Sequence, residues 1–416
     1  MHHKSGTVMS DERVVIIGGS HGAAQLAASL RQEGWAGKIS LVSAEAVIPY
    51  HRPPLSKAYL AGAQHPDEIL IRPANFYDTA NVELVLGRRV VAIDRNEKSI
   101  KLTNGARISY DKLALTTGAS ARKLTLPGVH LPGVLYLREI KDVDQIREFA
   151  GRGKRAVVIG GGYIGLEAAA SLRNLGMHVT IVEASSRVLQ RVTVPEISEF
   201  YTRIHREEGV EILTGMTASS INGNLQVESV SCGDGLQLKA DLVIIGIGVR
   251  PEISLAEDAG LEINDGIRVD EFARTSDHDI LAAGDCTSHC NPIYQRFIRL
   301  ESVQNATDQA KTAAKTICGK LEPYRALPWF WSDQYDVKLQ IAGLSQGYDH
   351  IVIRGEWKAA RSFAVFYFKE RKFLAVDAIN RPKEFMLSRR LLTDGHSPDR
   401  ERLHDEALPI QDLLIA

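Results

Sequence analysis

Short β-branched apolar runs alternate along this chain with longer stretches of helical character, and this alternation predicts parallel sheets with crossover helices. The first such unit starts with the strand Arg13–Ile17, continues in a small-residue helix from Ala24 to Arg31 and returns in the strand Lys38–Val42. The further strands predicted before residue 118 are Val82–Leu86, Val90–Ile93, Ser99–Leu102 and Lys112–Leu115. Between them lies a proline-rich stretch from Pro49 to Pro73, and an irregular segment of that length is usually functional.

A second unit of the same type follows, with a strand at Arg155–Ile159, a helix from Leu166 to Leu175 and a strand that ends at Glu183. Two later apolar strands end at Gly246 and Asp285. After Pro328 the pattern changes to an aromatic cluster and alternating segments, which predict an antiparallel sheet. These segments are Val337–Leu344, Ile351–Ile353, Ser362–Lys369 and Lys372–Ile379, closed by a helix near Glu384–Leu392.

Each of the two α/β units carries a glycine-rich turn between its first strand and its helix. The first turn is Gly18-Gly19-Ser20-His21-Gly22-Ala23 and the second is Gly160-Gly161-Gly162-Tyr163-Ile164-Gly165. Such a turn brings backbone N–H groups and a helix N-terminus close to a pyrophosphate. Two turns in one chain predict two bound dinucleotides and therefore hydride transfer between them.

The second turn fits the pattern Gly-x-Gly-x-x-Gly in full. Glu183 ends the next strand, where an acid accepts hydrogen bonds from the adenosine ribose hydroxyls and repels a 2′-phosphate. The sequence therefore predicts a preference for NADH, although Arg187 and Arg191 lie just beyond the acid and leave NADPH open.

The first turn departs from that pattern, because Ser20 stands at the second glycine position and Ala23 at the third. Glu45 is the candidate for the ribose, since Ser43 occupies the usual acidic position; a solvated loop acid is the alternative. His21 either donates to a phosphate or points away from it.

Composition sets wider limits. The chain has 416 residues, 44% of them hydrophobic and 24% charged, with a formal net charge of −1. This balance gives no electrostatic reason for binding nucleic acid or a membrane, and no apolar run reaches the roughly 20 residues of a membrane span. Met1–Ser5 lacks the apolar core of a signal peptide, so we expect a cytoplasmic protein.

The four cysteines, Cys232, Cys286, Cys290 and Cys318, include no Cys-x-x-Cys pair, and the histidines show no metal-binding spacing. We therefore expect neither a redox disulfide nor a bound metal.

Several longer motifs together resemble one family, the FAD-dependent, NADH-linked ferredoxin reductases of oxygenase electron-transfer chains. The motifs are the segment Ile48-Pro49-Tyr50-His51-Arg52-Pro53-Pro54-Leu55-Ser56-Lys57, Thr116-Thr117-Gly118, the second glycine turn through Glu167, Ile280–Asp285, Arg299–Ala306 and Pro328–Gln334. They span nearly all of the chain after the first ten residues. The resemblance extends more loosely to the apoptosis-inducing-factor group.

The resemblance implies a pyridine nucleotide-disulfide reductase-like fold without the disulfide. Its FAD-binding domain is split into residues 10–118 and 249–325, an NADH-binding domain is inserted at 119–248, and a small α+β domain occupies 326–416. It implies transfer of a hydride from NADH to FAD and of single electrons to an acidic 2Fe–2S ferredoxin by a monomer or weak homodimer. Arg296, Arg299, Lys311 and Lys315 are candidates for docking that partner. A flavin-dependent monooxygenase and a redox-sensing NADH-binding protein are the alternatives.

The resemblance also assigns site residues. Lys57 pairs with Glu167 beside the flavin, and Trp331 lies against the flavin, on the electron exit path or in the core of the third domain. The residues implied to bind FAD are Gly18, Ser20, His21, Gly22, Ala23, Glu45, Arg52, Lys57, Val90, Thr117, Gly118, Arg138, Asp285, Glu301, Val303 and Trp331. The residues implied to bind NADH are Gly161, Gly162, Tyr163, Ile164, Glu167, Glu183, Arg191, Ile247 and Gly248.

Overall fold

The computed structural model describes residues 11–413, so the Met1–Ser5 segment lies outside it. Its strands are β1 (Arg13–Ile17), β2 (Lys38–Val42), β3 (Val82–Val85), β4 (Val90–Asp94), β5 (Ser99–Leu102), β6 (Arg107–Ser109), β7 (Lys112–Leu115), β8 (Ala119–Ala121), β9 (Val134–Tyr136), β10 (Arg155–Ile159), β11 (His178–Glu183), β12 (Glu211–Thr214), β13 (Ala218–Asn222), β14 (Ser229–Cys232), β15 (Gln237–Lys239), β16 (Leu242–Ile245), β17 (Val249–Pro251), β18 (Ile267–Val269), β19 (Ile280–Ala282), β20 (Thr287–Asn291), β21 (Arg296–Ile298), β22 (Trp329–Gln334), β23 (Val337–Gly343), β24 (His350–Arg354), β25 (Phe363–Lys369) and β26 (Lys372–Ile379).

The helices are α1 (His21–Gln32), α2 (Ala74–Thr79), α3 (Ile140–Phe149), α4 (Tyr163–Asn174), α5 (Pro195–Glu207), α6 (Ser254–Asp258), α7 (Val303–Ile317) and α8 (Pro382–Asp394). Short 3-10 turns lie at Pro53–Ser56, Pro66–Ile69, Gly233–Gly235 and Ile410–Leu413. None of the helices in the described part of the chain has both the length and the apolar composition needed to cross a membrane.

The described chain divides into two compact units by its internal contacts. The first contains residues 11–51, 66–120 and 250–328, and the second contains residues 52–65, 121–249 and 329–413. Each unit is thus assembled from segments that are distant in sequence.

The first unit is built on a parallel sheet of order β19-β7-β1-β2-β3. Successive residues of β1 point to opposite faces. Val14 and Ile16 pack on one face with residues of α1 and α7, whereas Val15 and Ile17 pack on the other with Ile100 and other residues of the β4–β5–β6 sheet. Burial on both faces explains why β1 is an uninterrupted apolar run.

The second unit contains a parallel sheet of order β12-β11-β10-β16-β9 and an antiparallel sheet of order β22-β23-β26-β25-β24. Helix α8 packs on β23 and β26 of the second sheet. A two-residue turn at Tyr335-Asp336 joins β22 to β23, with Gln334 opposite Val337 and Tyr335 at a positive φ of 55°. The predicted fold class is therefore confirmed.

Two details differ from the sequence prediction. Helices α1 and α4 begin at His21 and Tyr163, three residues before the predicted starts, because the last residues of each glycine-rich turn already form the first helical turn. The aromatic segment Trp329–Gln334 is a regular edge strand, β22, rather than only a cluster.

Candidate functional site

The first glycine-rich turn joins β1 to α1 at the carboxyl edge of its sheet. Gly18 has a φ of +137°, and a Cβ there would lie 2.2 Å from the Thr116 carbonyl oxygen. A Cβ on Gly19 would lie 2.2 Å from Ser43 Oγ. Both positions require glycine because the turn is pressed against the residues that follow β7 and β2.

Helix α1 starts directly after this turn. Ser20 is its extended N-cap residue, with a φ of −137°, and its side chain does not bond to the first-turn amides. Ala23 is fully buried, and a Cβ on Gly22 would come within 3.4 Å of the Thr116 side chain. A helix end with this close packing and no side-chain cap fits the pyrophosphate of a dinucleotide.

His21 is buried at the start of α1, and its Nε2 lies 3.1 Å from Nδ1 of His51. Its Nδ1 is 3.3 Å from Ser20 Oγ. Desolvation lowers the pKa of His51. The side chain of His21 is therefore engaged with a second imidazole, and its contact with a phosphate stays a prediction.

Three other predicted FAD residues lie at the same sheet edge as the first turn. Thr117 and Gly118 follow β7, and Asp285 follows the neighbouring strand β19. Thr117 Oγ1 donates to the carbonyl oxygen of Glu252 at 2.7 Å, and Gly118 has a φ of +67°. Because parallel strands end at one edge, the fold brings these residues to the side where ligands bind in α/β sheets.

Glu45 lies just beyond β2 at that edge. Its carboxylate accepts a hydrogen bond from the hydroxyl of buried Tyr50, and its backbone N–H donates to Ser43 Oγ at 3.1 Å. The acid is thus held in place rather than left in a fully solvated loop, although its contact with ribose stays a prediction.

The remaining FAD candidates of the first unit occupy other positions. Val90 is buried in the core at the start of β4, Val303 is the first residue of α7, and Glu301 is exposed. Glu301 accepts a hydrogen bond of 2.5 Å from Arg299. Flavin contacts of these three residues stay predictions.

The second turn joins β10 to α4 and is packed in a similar way. Gly160 has a φ of +111°, and a Cβ there would lie 2.4 Å from the Gly246 carbonyl oxygen. A Cβ on Gly165 would lie 2.1 Å from the Gly160 oxygen, whereas a Cβ on Gly162 would meet no described atom beyond its chain neighbours within 4 Å. This open space at the N-cap of α4 fits a second pyrophosphate.

Glu183 at the end of β11 supports this second turn. Its Oε2 accepts from the Gly161 N–H at 2.6 Å, and its Oε1 accepts from the Ser185 N–H at 2.6 Å. The carboxylate therefore lies at the turn, and its contact with the adenosine ribose stays a prediction.

The other NADH candidates surround the same region of the sheet. Ile247 and Gly248 follow β16, which is the neighbour of β10, and Ile164 on α4 is 45% exposed. A Cβ on Gly248 would lie 3.5 Å from the guanidinium of Arg191, so these two candidates are close together.

Lys57 and Glu167 form the ion pair that the resemblance implies. Lys57 Nζ lies 2.6 Å from Glu167 Oε2, and the Glu167 side chain is 2% exposed. Ser56 Oγ donates to the same carboxylate oxygen at 2.5 Å, while Ser332 Oγ on β22 donates to Oε1 at 2.6 Å. A buried carboxylate with one cation and two hydroxyl donors is held in a single orientation.

Aromatic rings lie on α4 and β22, the helix and strand that carry Glu167 and its hydrogen-bond donor Ser332. The Tyr163 ring lies 5.0 Å from that of Phe330, and the Trp331 ring lies 5.5 Å from that of Trp329. The Tyr163 hydroxyl is buried and has no hydrogen-bond partner within residues 11–413, and burial raises its pKa well above the ordinary value. Trp331 is only half-buried, so part of its side chain on β22 is exposed to solvent.

Arg52 and Arg138 are brought together within the second unit. Arg52 Nη1 donates to the carbonyl oxygen of Arg138 at 2.8 Å, and the Arg138 N–H donates to Asp142 Oδ2 at 3.0 Å. The Arg52 guanidinium therefore lies at the backbone of Arg138, and a phosphate contact of either side chain stays a prediction.

Sequence reasoning missed four polar residues around Glu167. Ser56 and Ser332 lie inside motifs already quoted, which was the available signal. Gln334 lies in the same motif as Ser332, whereas His205, which is bonded to it at 2.8 Å, is 129 residues away and lies in none of the quoted motifs.

Three of the four predicted docking cations in the first unit are paired with nearby acids. Arg299 pairs with Asp265 and Glu301, Lys311 with Asp308, and Lys315 with Glu322. The structure therefore gives no support for an excess of positive charge at these three residues.

Comparison with known proteins identifies the family. The Pyridine nucleotide-disulphide oxidoreductase family matches residues 12–310, and the Reductase C-terminal family matches residues 329–414. Putidaredoxin reductase from Pseudomonas putida is 42% identical over 413 residues, which is 98% of each chain. The ferredoxin reductase subunit of a 5,5′-dehydrodivanillate O-demethylase from a Sphingobium species is 43% identical, over 97% of this chain and 98% of that protein.

A solved structure agrees with these matches over almost the whole chain. The reductase in a covalent putidaredoxin reductase–putidaredoxin complex superposes with a TM-score of 0.94 at 42% identity, over 97% of this chain and 98% of that one. This chain therefore belongs to the pyridine nucleotide-disulphide oxidoreductase family, within the group of ferredoxin reductases that carry the C-terminal reductase domain.

Proposed function

We propose that this protein is an FAD-dependent NADH:ferredoxin reductase that supplies electrons to an oxygenase. The observation that carries the proposal is the pair of dinucleotide-type turns together with the buried Lys57–Glu167 pair, whose acid lies on the helix that follows the second turn. FAD, when bound, accepts a hydride from NADH and releases the two electrons singly.

We assign FAD to residues 10–118 and 249–325, NADH to 119–248, and a supporting role to the C-terminal domain at 326–416. In this assignment the Gly18 turn and Asp285 hold the pyrophosphate and ribityl chain of FAD, and Arg52 with Arg138 supplies positive charge. Glu183 holds the adenosine ribose of NADH and disfavours NADPH.

Lys57 and Glu167 serve as a positioning device in this proposal. Hydride transfer depends on close alignment of two rings more than on a proton donor. A pair that is fixed by two serine hydroxyls and largely shielded from water suits that task.

The cysteines favour a protein acceptor that takes one electron at a time. All four are free, and burial raises the pKa of Cys286 and Cys232. The thiols of Cys286 and Cys232 are therefore not activated as thiolates. Free thiols and the use of NADH also fit the cytoplasm, which is the compartment we propose.

A solved complex joins the related putidaredoxin reductase to putidaredoxin. By analogy we propose an acidic 2Fe–2S ferredoxin as the acceptor, and a monomer or weak homodimer as the active form. The terminal electron acceptor in this proposal is an oxygenase.

A visible spectrum of the purified protein, followed by anaerobic titration with NADH, tests the proposal. We expect a flavin spectrum, rapid bleaching by NADH and subsequent reduction of added putidaredoxin. A colourless protein that does not take up FAD would refute it. Bleaching over minutes would favour a redox sensor, and oxygenation of an added organic compound without ferredoxin would favour a monooxygenase.

A further inference from the structure

A continuous line of buried hydrogen bonds leads away from the Glu167 carboxylate. Ser332 Oγ donates to Glu167 Oε1 at 2.6 Å, and Gln334 Nε2 donates to Ser332 Oγ at 3.2 Å. Gln334 Oε1 then lies 2.8 Å from His205 Nε2, and His205 Nδ1 lies 3.3 Å from the Tyr335 hydroxyl. We call Ser332, Gln334, His205 and Tyr335 the relay.

Three elements of the second unit place these residues. Ser332 and Gln334 are two apart on β22, so both side chains lie on one face of that strand. His205 lies in the last turn of α5, and Tyr335 occupies the positive-φ position of the β22–β23 turn. Ser332, Gln334 and His205 are each no more than 1% exposed, whereas Tyr335 is half-buried.

The donor direction of the relay follows from one ionised group. A carboxylate only accepts, so the single Ser332 proton goes to Glu167 and Ser332 must accept from the amide of Gln334. The Gln334 oxygen then faces His205, which must carry its proton on Nε2. Nδ1 of His205 is left as the acceptor for Tyr335.

The surroundings of His205 support a neutral ring with one proton. Burial lowers the pKa of His205 to about 4, against the opposing effects of the Gln334 hydrogen bond and the charge of Glu208. The Tyr335 ring lies 5.2 Å from the imidazole in an edge-on arrangement. The titratable groups that face Glu167 are Lys57 and the buried hydroxyls of Tyr163 and Tyr201.

We infer that His205 and Gln334 are positioning residues for hydride transfer, which act through Ser332 to fix the orientation of the Glu167 carboxylate beside Lys57. This inference rests on the proposed function. Without the Gln334 amide, no donor holds the Ser332 hydroxyl, so it can turn away from Glu167 and leave the carboxylate with only Lys57 and Ser56, both on Oε2.

Four variants of the holoenzyme test the inference by stopped-flow reduction of the flavin with NADH. Gln334→Leu removes both bonds of the amide. Gln334→Glu has nearly the same shape but only acceptor oxygens, so it competes with Glu167 for the Ser332 proton. His205→Gln retains a donor near the position of Nε2, and Asp333→Asn changes the intervening residue on the opposite face of β22.

We expect the limiting rate of flavin reduction to fall about tenfold or more in Gln334→Leu and Gln334→Glu, because Ser332 is then no longer held as donor to the Glu167 carboxylate and a hydrogen bond to a charged group has an effect of this order. The NADH concentration for half-maximal rate should not change. His205→Gln should stay within about threefold of the unmodified protein, and Asp333→Asn should match it. A wild-type rate in Gln334→Glu, or an equal loss in Asp333→Asn, would overturn the inference.

The protonation site of His205 gives a readout that is independent of turnover. In ¹⁵N-histidine NMR spectra at neutral pH, the unmodified protein should show a neutral ring protonated on Nε2. A proton on Nδ1 would mean that Gln334 is reversed, which would refute the relay. If NADH does not reduce the unmodified protein, the proposed function fails, whereas the NMR result still decides the direction of the relay.

Discussion

Lys57 and Glu167 form a close ion pair in which the two partners differ sharply in exposure. Their charged atoms lie 2.6 Å apart, yet the lysine side chain is 21% exposed and the glutamate side chain only 2%. The two residues therefore depend on each other unequally. Lysine without its partner can turn its charge to water, whereas glutamate without lysine remains a buried, uncompensated anion.

This asymmetry predicts that Lys57→Met destabilises the protein more than Glu167→Gln. Breaking a buried pair from the side that leaves an unpaired charge costs about 3–5 kcal/mol. Urea unfolding of both holoenzyme variants measures the difference. In both variants, the rate at which NADH reduces the flavin should also fall about a hundredfold, because misplacement of reacting groups has an effect of this size. Equal unfolding midpoints would show that Glu167 has another source of compensation.

Glu183 predicts the choice between NADH and NADPH. Its two oxygens accept from the Gly161 and Ser185 amides, so a glutamine can satisfy only one of these N–H groups. Glu183→Gln should lower kcat/KM for NADH about tenfold or more. It should lower kcat/KM for NADPH less, because repulsion of the 2′-phosphate is removed.

Steady-state assays with ferricyanide as acceptor measure both values. Glu211→Gln provides the control, because Glu211 is an exposed acid on the neighbouring strand β12 and the same net charge is removed. An unchanged ratio between NADH and NADPH in Glu183→Gln would exclude Glu183 as the discriminating residue.

The parallel strands were predictable because burial on both faces leaves a direct mark in the sequence. β1 and β10 coincide with apolar runs, and the turns need glycine because a Cβ on Gly165, for example, would lie 2.1 Å from the Gly160 carbonyl oxygen. The same turns obscured the starts of α1 and α4, since their residues belong to a motif and to a helix at once.

Long-range polar contacts were not predictable. Helix α5 carries buried Ile197, Phe200 and Ile204 at helical spacing, with Pro195 at its start, so it could have been found from its pattern. That His205 meets Gln334, however, depends on how a helix and a strand from distant parts of the chain pack. The contacts of Asp377 were equally unpredictable, because an acid in the middle of an apolar strand does not indicate which residues will donate hydrogen bonds to it.

Asp377 itself predicts a pH dependence of stability. It is buried on β26, and its Oδ2 accepts from Tyr367 at 2.6 Å and from Thr193 at 2.8 Å. Burial raises its pKa to about 6, against the opposing effect of these hydrogen bonds. The folded state thus holds a proton that the unfolded chain, with an ordinary aspartate value, has already lost.

The contribution of this carboxyl to stability is therefore most favourable below the unfolded pKa and is lost as pH rises to about 6. The size of the effect is roughly 3 kcal/mol. His205 and His289 act in the opposite direction, because burial lowers their pKa values to about 4. Their contribution to the stability of the fold is therefore lost as pH falls. Asp377→Asn isolates the carboxyl, since the histidines remain in both proteins.

We expect Asp377→Asn to gain stability over the unmodified protein as pH rises from 4 to 7, measured as the midpoint of urea unfolding at several pH values. The exposed Asp258→Asn should follow the unmodified protein at every pH. Parallel curves for the unmodified protein and Asp377→Asn would show that Asp377 is ionised throughout in the folded state.

Electrostatic docking of a ferredoxin predicts that electron transfer to the ferredoxin and to a small acceptor differ in their dependence on salt. Attraction to an acidic partner weakens with salt, whereas direct reduction of a small acceptor by the flavin depends little on partner attraction. Reduction of putidaredoxin should therefore slow steeply with ionic strength, while direct reduction of a small acceptor should not. Because Lys311 and Lys315 are already paired with Asp308 and Glu322, Lys311→Glu and Lys315→Glu should each change the low-salt rate by less than about threefold. A larger loss in either variant would place the docking surface on α7 despite these local acids, and a flat salt response would remove electrostatic docking altogether.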